Sequence, residues 1–362
     1  MKGCRPDYYD RFRCIAGDCK DSCCIGWEID VDEEKRSYYR SVDGELGQRL
    51  HTCIDWKEGH FILLGEKERC PFLNEDNLCD LIIGLGEESL CDICREHPRF
   101  YDWYDDYTEV GLGLCCEEAA RLVISGEEKR AFLADTYTDE EPWINVLFAA
   151  RETAFLILQD RRYPVWDRLC SLSVYIEELQ QCMDFDSLDE AEETVSYYRE
   201  NPWVENTYSG SVGERRQVYK EILMICSELE PMDPTWPDTV EKIRDFVEDE
   251  RRLGRAEKDL QESYGGLDYQ YEHLAIYFTY RYFMKSREDS NIRSKGMIGL
   301  FCILLIRLLD LWNIDQGVEV TTESRAWNAK NCSKEIEYSE DNLEKLNDLF
   351  YDSDMESICG LL

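Results

Sequence analysis

From about residue 140 onward, apolar residues recur every three or four positions. Ile144, Leu147, Phe148, Ala154, Phe155 and Leu158 line one helix, which Tyr163-Pro164 closes. Leu169, Leu172, Ile176 and Leu179 line a second helix beginning near Pro164, and Val218, Ile222, Ile225, Cys226 and Leu229 mark a third. Residues 239–260 are highly charged and read as one exposed helix. Residues 267–285 are aromatic-rich and helical, with Gly265-Gly266 as the break before them. Residues 293–312 form the most apolar helix. Its longest apolar run, 297–306, is about half of the roughly 20 residues a membrane span needs, so it reads as a buried core helix. The acidic stretches 184–193 and 341–354 read as solvated helix faces.

The first third lacks this rhythm. Helical periodicity is short and broken by Gly3, Gly17, Gly26, Gly44, Gly47, Gly59, Gly65, Gly84 and Gly86. Residues 32–40 and 117–125 suit short helices, and 60–64 and 108–114 suit short strands. The expected fold is therefore mainly α. A cysteine-rich, metal-bound region with little regular structure (1–125) is followed by an all-α helical domain (126–362).

Composition narrows the function. Of 362 residues 43% are hydrophobic and nine are tryptophan, enough for a sizeable core. The formal net charge of −37 disfavours nucleic acid, which needs clustered Lys and Arg, and an anionic membrane surface. A basic, lysine-bearing protein would be attracted. The opening residues, with Lys2, Arg5, Asp7 and Asp10, do not read as a secretory signal, so a cytoplasmic location is expected.

Eighteen cysteines in a reducing compartment do not form a disulfide scaffold. Twelve fall in the first 116 residues: Cys4, Cys14, Cys19, Cys23, Cys24, Cys53, Cys70, Cys79, Cys91, Cys94, Cys115 and Cys116. Cys170, Cys182, Cys226, Cys302, Cys332 and Cys359 are scattered through helical patterns and read as small core residues. Cys14-x4-Cys19-x3-Cys23-Cys24 is followed by Cys70-Pro71-Phe72-Leu73, Leu78-Cys79, Cys91-x2-Cys94 and Cys115-Cys116. Thiolates at such spacings, among glycines, suit a soft metal. A structural zinc site takes four ligands, but only Cys91 and Cys94 have the paired zinc-hook spacing, so spacing leaves iron–sulfur and zinc both open.

The ordered series resembles a known family. Phe12-x-Cys14-x4-Cys19-x3-Cys23-Cys24-x-Gly26-Trp27, with Ile29 and Asp32, is similar to the opening of the flagellin lysine N-methylase family. So are Cys70-Pro71-Phe72-Leu73, Leu78-Cys79, Gly86-Glu87, Leu90, Cys94-Arg95, Pro98-Arg99 and Cys116 with Glu118-Ala119-Ala120. Farther on, Ile157-Leu158-Gln159-x-Arg161-x-Tyr163-Pro164 and Tyr277-Phe278 with Tyr280-Arg281-Tyr282 match as islands. The resemblance implies a protein-lysine N-methyltransferase acting on flagellin, with a [4Fe–4S] cluster and S-adenosylmethionine as cofactors. It implies Cys14, Cys19, Cys23, Cys24, Cys70, Cys79, Cys94 and Cys116 as metal ligands. Cys4, Cys53, Cys91 and Cys115 lie outside the pattern. His97 stands where the family has an aromatic residue, and reads as a packed ring or an extra ligand.

Methyl transfer to lysine needs an unprotonated amine, so the site must lower a lysine pKa or remove its proton, and burial and a nearby carboxylate could serve. Glu117, Glu118 and Glu152 are candidates. Trp27, Tyr101, Trp103 and Tyr104 could enclose a cation, or simply pack. Gly84-Leu85-Gly86 and Gly111-Leu112-Gly113 read as turns, since neither sits in a convincing βαβ unit. No motif marks the methyl-donor site. The rival reading is a non-catalytic module in which zinc or a cluster holds a protein-binding fold, and a further alternative is a methylase of another lysine-bearing protein.

Overall fold

The computed structural model describes residues 2–203, 211–263 and 268–353. Cys359 and the Gly265-Gly266 break lie outside them, as does the last residue of the acidic stretch 341–354.

The chain opens with strand β1 (Lys2–Pro6) and then builds a small lobe around the cysteines. Helix α1 (Glu33–Arg40) starts at Asp32, whose carboxylate accepts the Lys35 N–H at 2.9 Å. The second oxygen of Asp32 accepts the Asp92 N–H at 3.0 Å, so one side chain anchors two helix starts. Helix α2 (Gly44–Cys53) leads to the short pair β2 (Ile54–Asp55) and β3 (His60–Phe61), and α3 (Asp80–Leu85) and α4 (Asp92–Glu96) follow. Ile29, Val31, Tyr39, Leu50, Phe61 and Phe72 form the lobe's own small core, together with Cys70 and Cys91. The Tyr39 hydroxyl is buried and donates to the Ser89 carbonyl at 2.7 Å.

Strands β4 (Arg99–Tyr104) and β5 (Tyr107–Leu112) form a hairpin turning at Asp105-Asp106, and helix α5 (Glu117–Ile124) and strand β6 (Phe132–Ala134) follow. The sheet order is β4-β5-β1-β6, with β5 and β1 parallel and the other pairs antiparallel. This sheet was not foreseen beyond β5. Burial alternates along β1 and most of β5, but polarity does not follow it, since Glu109 is a buried position of β5; β1 is also only five residues long and its partners are distant in sequence. Gly111 is required there: a Cβ would stand 2.2 Å from the Phe100 ring.

The remainder is helical: α6 (Pro142–Leu158), α7 (Val165–Asp184), α8 (Leu188–Glu200), α9 (Val212–Glu228), α10 (Trp236–Glu248), α11 (Glu250–Ser263), α12 (Asp268–Tyr282), the one-turn α13 (Ser286–Asp289), α14 (Ile292–Asp315), α15 (Thr322–Ile336) and α16 (Glu340–Phe350). The mainly α reading holds, and the helices expected around 144–158, 164–179, 218–229, 267–285 and 293–312 are all present. The single exposed helix expected over 239–260 is corrected. It is two helices, α10 and α11, broken at Asp249, and Val240, Ile243, Phe246, Leu253 and Leu260 bury one face. Charge on the outer face concealed that stripe. Helix α14 is long and apolar enough to cross a membrane, yet 78% of its most apolar window is buried among the other helices. Its first turn is capped by Asn291, which accepts the Ser294 N–H at 2.7 Å.

One large core joins sheet and helices, taking in Cys4, Tyr8 and Phe12 as well as α5, α6, α7, α12 and α14. Buried ion pairs cross it. Glu109 of β5 receives Arg151 of α6 bidentately, with one contact at 2.7 Å and both side chains almost fully buried. Asp310 of α14 pairs with Arg325 of α15 at 3.0 Å and accepts from Tyr271 at 2.9 Å. Such pairs cost desolvation, but losing one partner leaves a buried charge alone. Arg151→Ala is therefore expected to lower stability by about 3–5 kcal/mol, measured by urea unfolding. A loss below about 1 kcal/mol, the range of exposed pairs, would show that Glu109 rehydrates and that the pair does not fasten the sheet.

Candidate functional site

The thiols implicated by the sequence sit on turns of the lobe and helix starts that lie far apart in the chain, and they meet there in pairs. Cys14 is exposed, and its sulfur accepts the Ala16 N–H at 3.4 Å. Cys19 follows the single turn Ala16–Asp18, with its thiol 3.9 Å from Glu117 Oε2. The Lys20 N–H donates to the same Glu117 oxygen at 3.0 Å, which ties this loop to the start of α5. Cys24 lies against Cys70, whose N–H donates to the Cys24 carbonyl at 2.8 Å. Leu73 and Cys79 are bridged, and Asp80 N–H donates to Phe72 O at 2.8 Å, closing the Cys70–Cys79 hairpin. Gly26, at φ +77°, makes the turn after Cys23-Cys24.

Cys79, Cys91 and Cys116 are the N-cap residues of α3, α4 and α5. None of the three sulfurs accepts a cap hydrogen bond, but nearby first-turn N–H groups lower each thiol: Leu81 and Ile82 for Cys79, Cys94 for Cys91, Glu118 and Ala119 for Cys116. Phe72 and Leu73 do the same for Cys70. These donors favour thiolate. Burial opposes them, pushing Cys70 up to about 12 and Cys116 and Cys19 up to about 11. Cys24 goes the other way, to about 7, because it accepts hydrogen bonds from the Cys23 thiol and Ser22 hydroxyl, with Arg69 nearby. Among the described residues, no three Cys, His, Asp or Glu side chains already close on one point; Cys23 meets Cys24 and Cys91 meets Cys94 as pairs. Thiols predominate among the groups gathered here, the chemistry a soft metal takes, with Glu117 beside Cys19, Asp80 beside Cys79 and Asp32 beside Cys91 as carboxylate neighbours.

Cys91, outside the family pattern, is 1% exposed and adjoins Cys94. Cys4 lies under Tyr280 in the sheet, and Cys115 is buried beside Tyr338. Cys226, Cys302 and Cys332 pack together in the helical core. His97 is a packed ring, edge-on to Trp27 at 6.1 Å and Tyr338 at 6.3 Å, with no hydrogen-bond partner at Nε2. Burial and Arg99 lower it to about 4, so it is neutral near pH 7.

Of the three candidate carboxylates only Glu117 faces the thiols. Glu118 is held by Arg121 at 2.6 and 2.7 Å, and Glu152 is solvated and pairs with Arg199 at 3.2 Å. Tyr101 and Trp103 stack on each other with Trp103 65% exposed, and Tyr104 packs against Phe148, so of the four aromatics only Trp27 adjoins the junction between the lobe and α15. Gly84 and Gly86 end α3, and Gly111-Gly113 ends β5; β6 runs opposite to β5, so no parallel βαβ unit exists there.

Helix α15, which sequence periodicity did not reveal, supplies the facing wall. Lys330, 2% exposed, pairs with Asp21 of the Cys19–Cys23 loop, and Lys334 reaches the same carboxylate at 3.3 Å. Lys330 and Lys20 both lie over the Trp327 ring, at 4.9 and 5.8 Å. Burial brings Lys330 down to about 8, and Lys334 adds to this. The thiol loop is thus clamped between an acidic helix start and a basic helix face.

Residues 151–362, more than half of the chain, match the model of the FliB lysine N-methylase C-terminal domain. The chain belongs to this family. The match falls on the helical part, where the resemblance read from the cysteines was sparse. The lysine-N-methylase of Salmonella typhimurium is 26% identical over 160 residues, and that of Salmonella choleraesuis 27% over 154 residues. Each alignment covers 41% of this chain and 38% of the relative's length. The flagellar biosynthetic protein FliU of Salmonella muenchen is 27% identical over 135 residues, covering 35% of this chain and 79% of that one. No solved structure matches.

The clamp makes a prediction. Lys330→Met removes the buried counter-charge of Asp21, so amide exchange in residues 14–24 should rise by at least tenfold while α12 keeps its protection. Unchanged exchange in 14–24 would mean that the loop holds its shape without α15.

Proposed function

We propose that this chain is a protein-lysine N-methyltransferase whose thiol-rich lobe holds a soft metal. Flagellin is the proposed acceptor and S-adenosylmethionine the methyl donor. The observation that carries this reading is the match of residues 151–362 to the lysine N-methylase domain. The flagellar name of one relative and the charge of −37, which draws a lysine-bearing partner, support the acceptor.

The lobe's chemistry fits a thiolate-held metal, an iron–sulfur cluster by resemblance and zinc as the alternative. Cys14, Cys19, Cys23, Cys24, Cys70, Cys79, Cys94 and Cys116 would hold it. A cluster so held supplies one-electron redox capacity. The remaining work falls to the chain's own residues. In the transfer, the lysine nitrogen bonds to the sulfonium methyl carbon, the carbon–sulfur bond breaks, and the nitrogen gives up a proton. Glu117, beside Cys19 and at the clamped junction, is the carboxylate we assign to take that proton. Its contact with the Lys20 ammonium, 3.6 Å away, shows that an amine fits against it.

The test is incubation of the anaerobically purified chain with flagellin and donor carrying an isotopically labelled methyl group. Label on lysine ε-nitrogens, located by peptide mass spectrometry, is expected. Glu117→Gln should lower turnover by about 10²–10⁴-fold, the range for a general base, with bound metal unchanged. Metal-loaded protein that labels neither flagellin nor any other lysine-bearing protein would overturn the enzyme reading in favour of a non-catalytic module. Label on another protein but not flagellin would overturn the acceptor alone.

A further inference from the structure

A lysine ammonium already sits where the lobe meets the helices. Lys20 Nζ lies 3.6 Å from Glu117 Oε1 and 5.8 Å from the centre of the Trp327 ring. These three residues come from the Cys19–Cys23 loop, the first turn of α5 and the face of α15. Glu117 is held in place. Its Oε2 accepts the Lys20 N–H at 3.0 Å and lies 3.9 Å from the Cys19 thiol, which leaves Oε1 to the ammonium. The Glu117 side chain is 16% exposed, the Trp327 ring is half-buried, and the Lys20 side chain is 64% exposed. Two other lysines are close, but both are spoken for. Lys330 lies over the same ring at 4.9 Å, yet it is buried and paired with Asp21. Lys334 is shared between Asp21 at 3.3 Å and Asp233 at 3.4 Å. Lys20 is thus the ammonium of this group that solvent reaches.

A fixed carboxylate and an aromatic face are the two groups that recognise an alkylammonium, one by opposite charge and the other by cation–π attraction. We infer that Glu117 and Trp327 form the subsite for the acceptor lysine, and that Lys20 fills it in the free chain until an acceptor side chain displaces it. This rests on the lysine-methylating reading of the chain and on no property of the bound metal. An exposed ion pair holds weakly, so Lys20 can swing out while the carboxylate and the indole stay on their helices. Lys20 is then a built-in competitor. Affinity for an acceptor falls by the fraction of molecules whose seat is free.

Binding to the full chain is measured by saturation-transfer NMR without methyl donor. The probe is Nα-acetyl-lysine amide, and its Nε-acetylated counterpart is the neutral control. Lys20→Met should tighten the amine probe by about twofold or more, as expected if Lys20 fills the seat in at least half of the molecules. Lys57→Met, an equal charge change at an exposed lysine elsewhere on the lobe, should not. Adding Trp327→Leu to Lys20→Met should weaken the probe by roughly 2–30-fold, the range of a cation–π contact, and Trp327→Phe should restore part of it. If the leucine variant does not fold by circular dichroism, the phenylalanine variant and the two lysine variants still decide. Equal affinity in wild type and Lys20→Met, equal tightening by Lys57→Met, or equal binding of the neutral control would overturn the subsite and leave the methyltransferase reading to its labelling assay. The expected binding pattern in a chain that labels no protein would keep a lysine subsite and overturn the enzyme reading alone.

Discussion

Several sulfurs of this lobe sit at helix starts or in tight turns, where backbone N–H groups lie nearby, and that constraint organises what surrounds them. A thiol at a helix N-cap or in a tight turn receives donors that a neutral thiol uses poorly and a thiolate uses well. Cys79, Cys91 and Cys116 occupy helix starts, while Cys14 and Cys70 sit in turns with the same kind of donor. Burial works against each of these charges. Concentrating so much potential negative charge in a chain of net charge −37 sets a demand for nearby cations. Arg69 beside Cys24 and Lys20, Lys330 and Lys334 at the Cys19 loop meet part of it. A soft cation, the proposed occupant of the lobe, would meet the rest.

The helical domain gives the lobe a fixed seat. Its large core takes in β1 and β5, so Lys2 and Tyr107, about a hundred positions apart, are paired in one sheet against the helices. Glu109 and Arg151 pin that sheet to α6, and the Tyr280 hydroxyl donates to both Cys4 O and Val110 O at 3.1 Å. The end of β5 leads directly into Cys116 and α5, while α15 closes on the loop from the other side. Each thiol turn is thereby referred to a rigid element, as a site that must hold its geometry requires.

Much of this was legible in the sequence, for identifiable reasons. The long helices follow from apolar spacing because their stripes are wide and their ends are marked, as at Tyr163-Pro164. Ordered cysteine spacing marked the first third as a thiol-rich lobe, whereas Cys226, Cys302 and Cys332 pack together in the helical core without any spacing signal. Helix α15 escaped notice because Arg325, Asn328 and Lys330 occupy its buried face, and polar residues there erase the hydrophobic period. Strand β1 escaped because its pairing is with residues about a hundred positions away. Glu117 was one of three equal candidates in sequence. Only the fold distinguishes it, by placing Glu118 on Arg121 and Glu152 in solvent.

The most direct measurement of the metal–thiolate claim is alkylation of the native protein, mapped by peptide mass spectrometry with and without a chelator. Cys14 and Cys23 are exposed and, if free, would react at once, whereas Cys302 and Cys332 are buried whatever the lobe holds. A metal-bound lobe requires that Cys14 and Cys23 stay unmodified until the chelator is added and then react quickly. Immediate alkylation of both in untreated, freshly purified protein would contradict it.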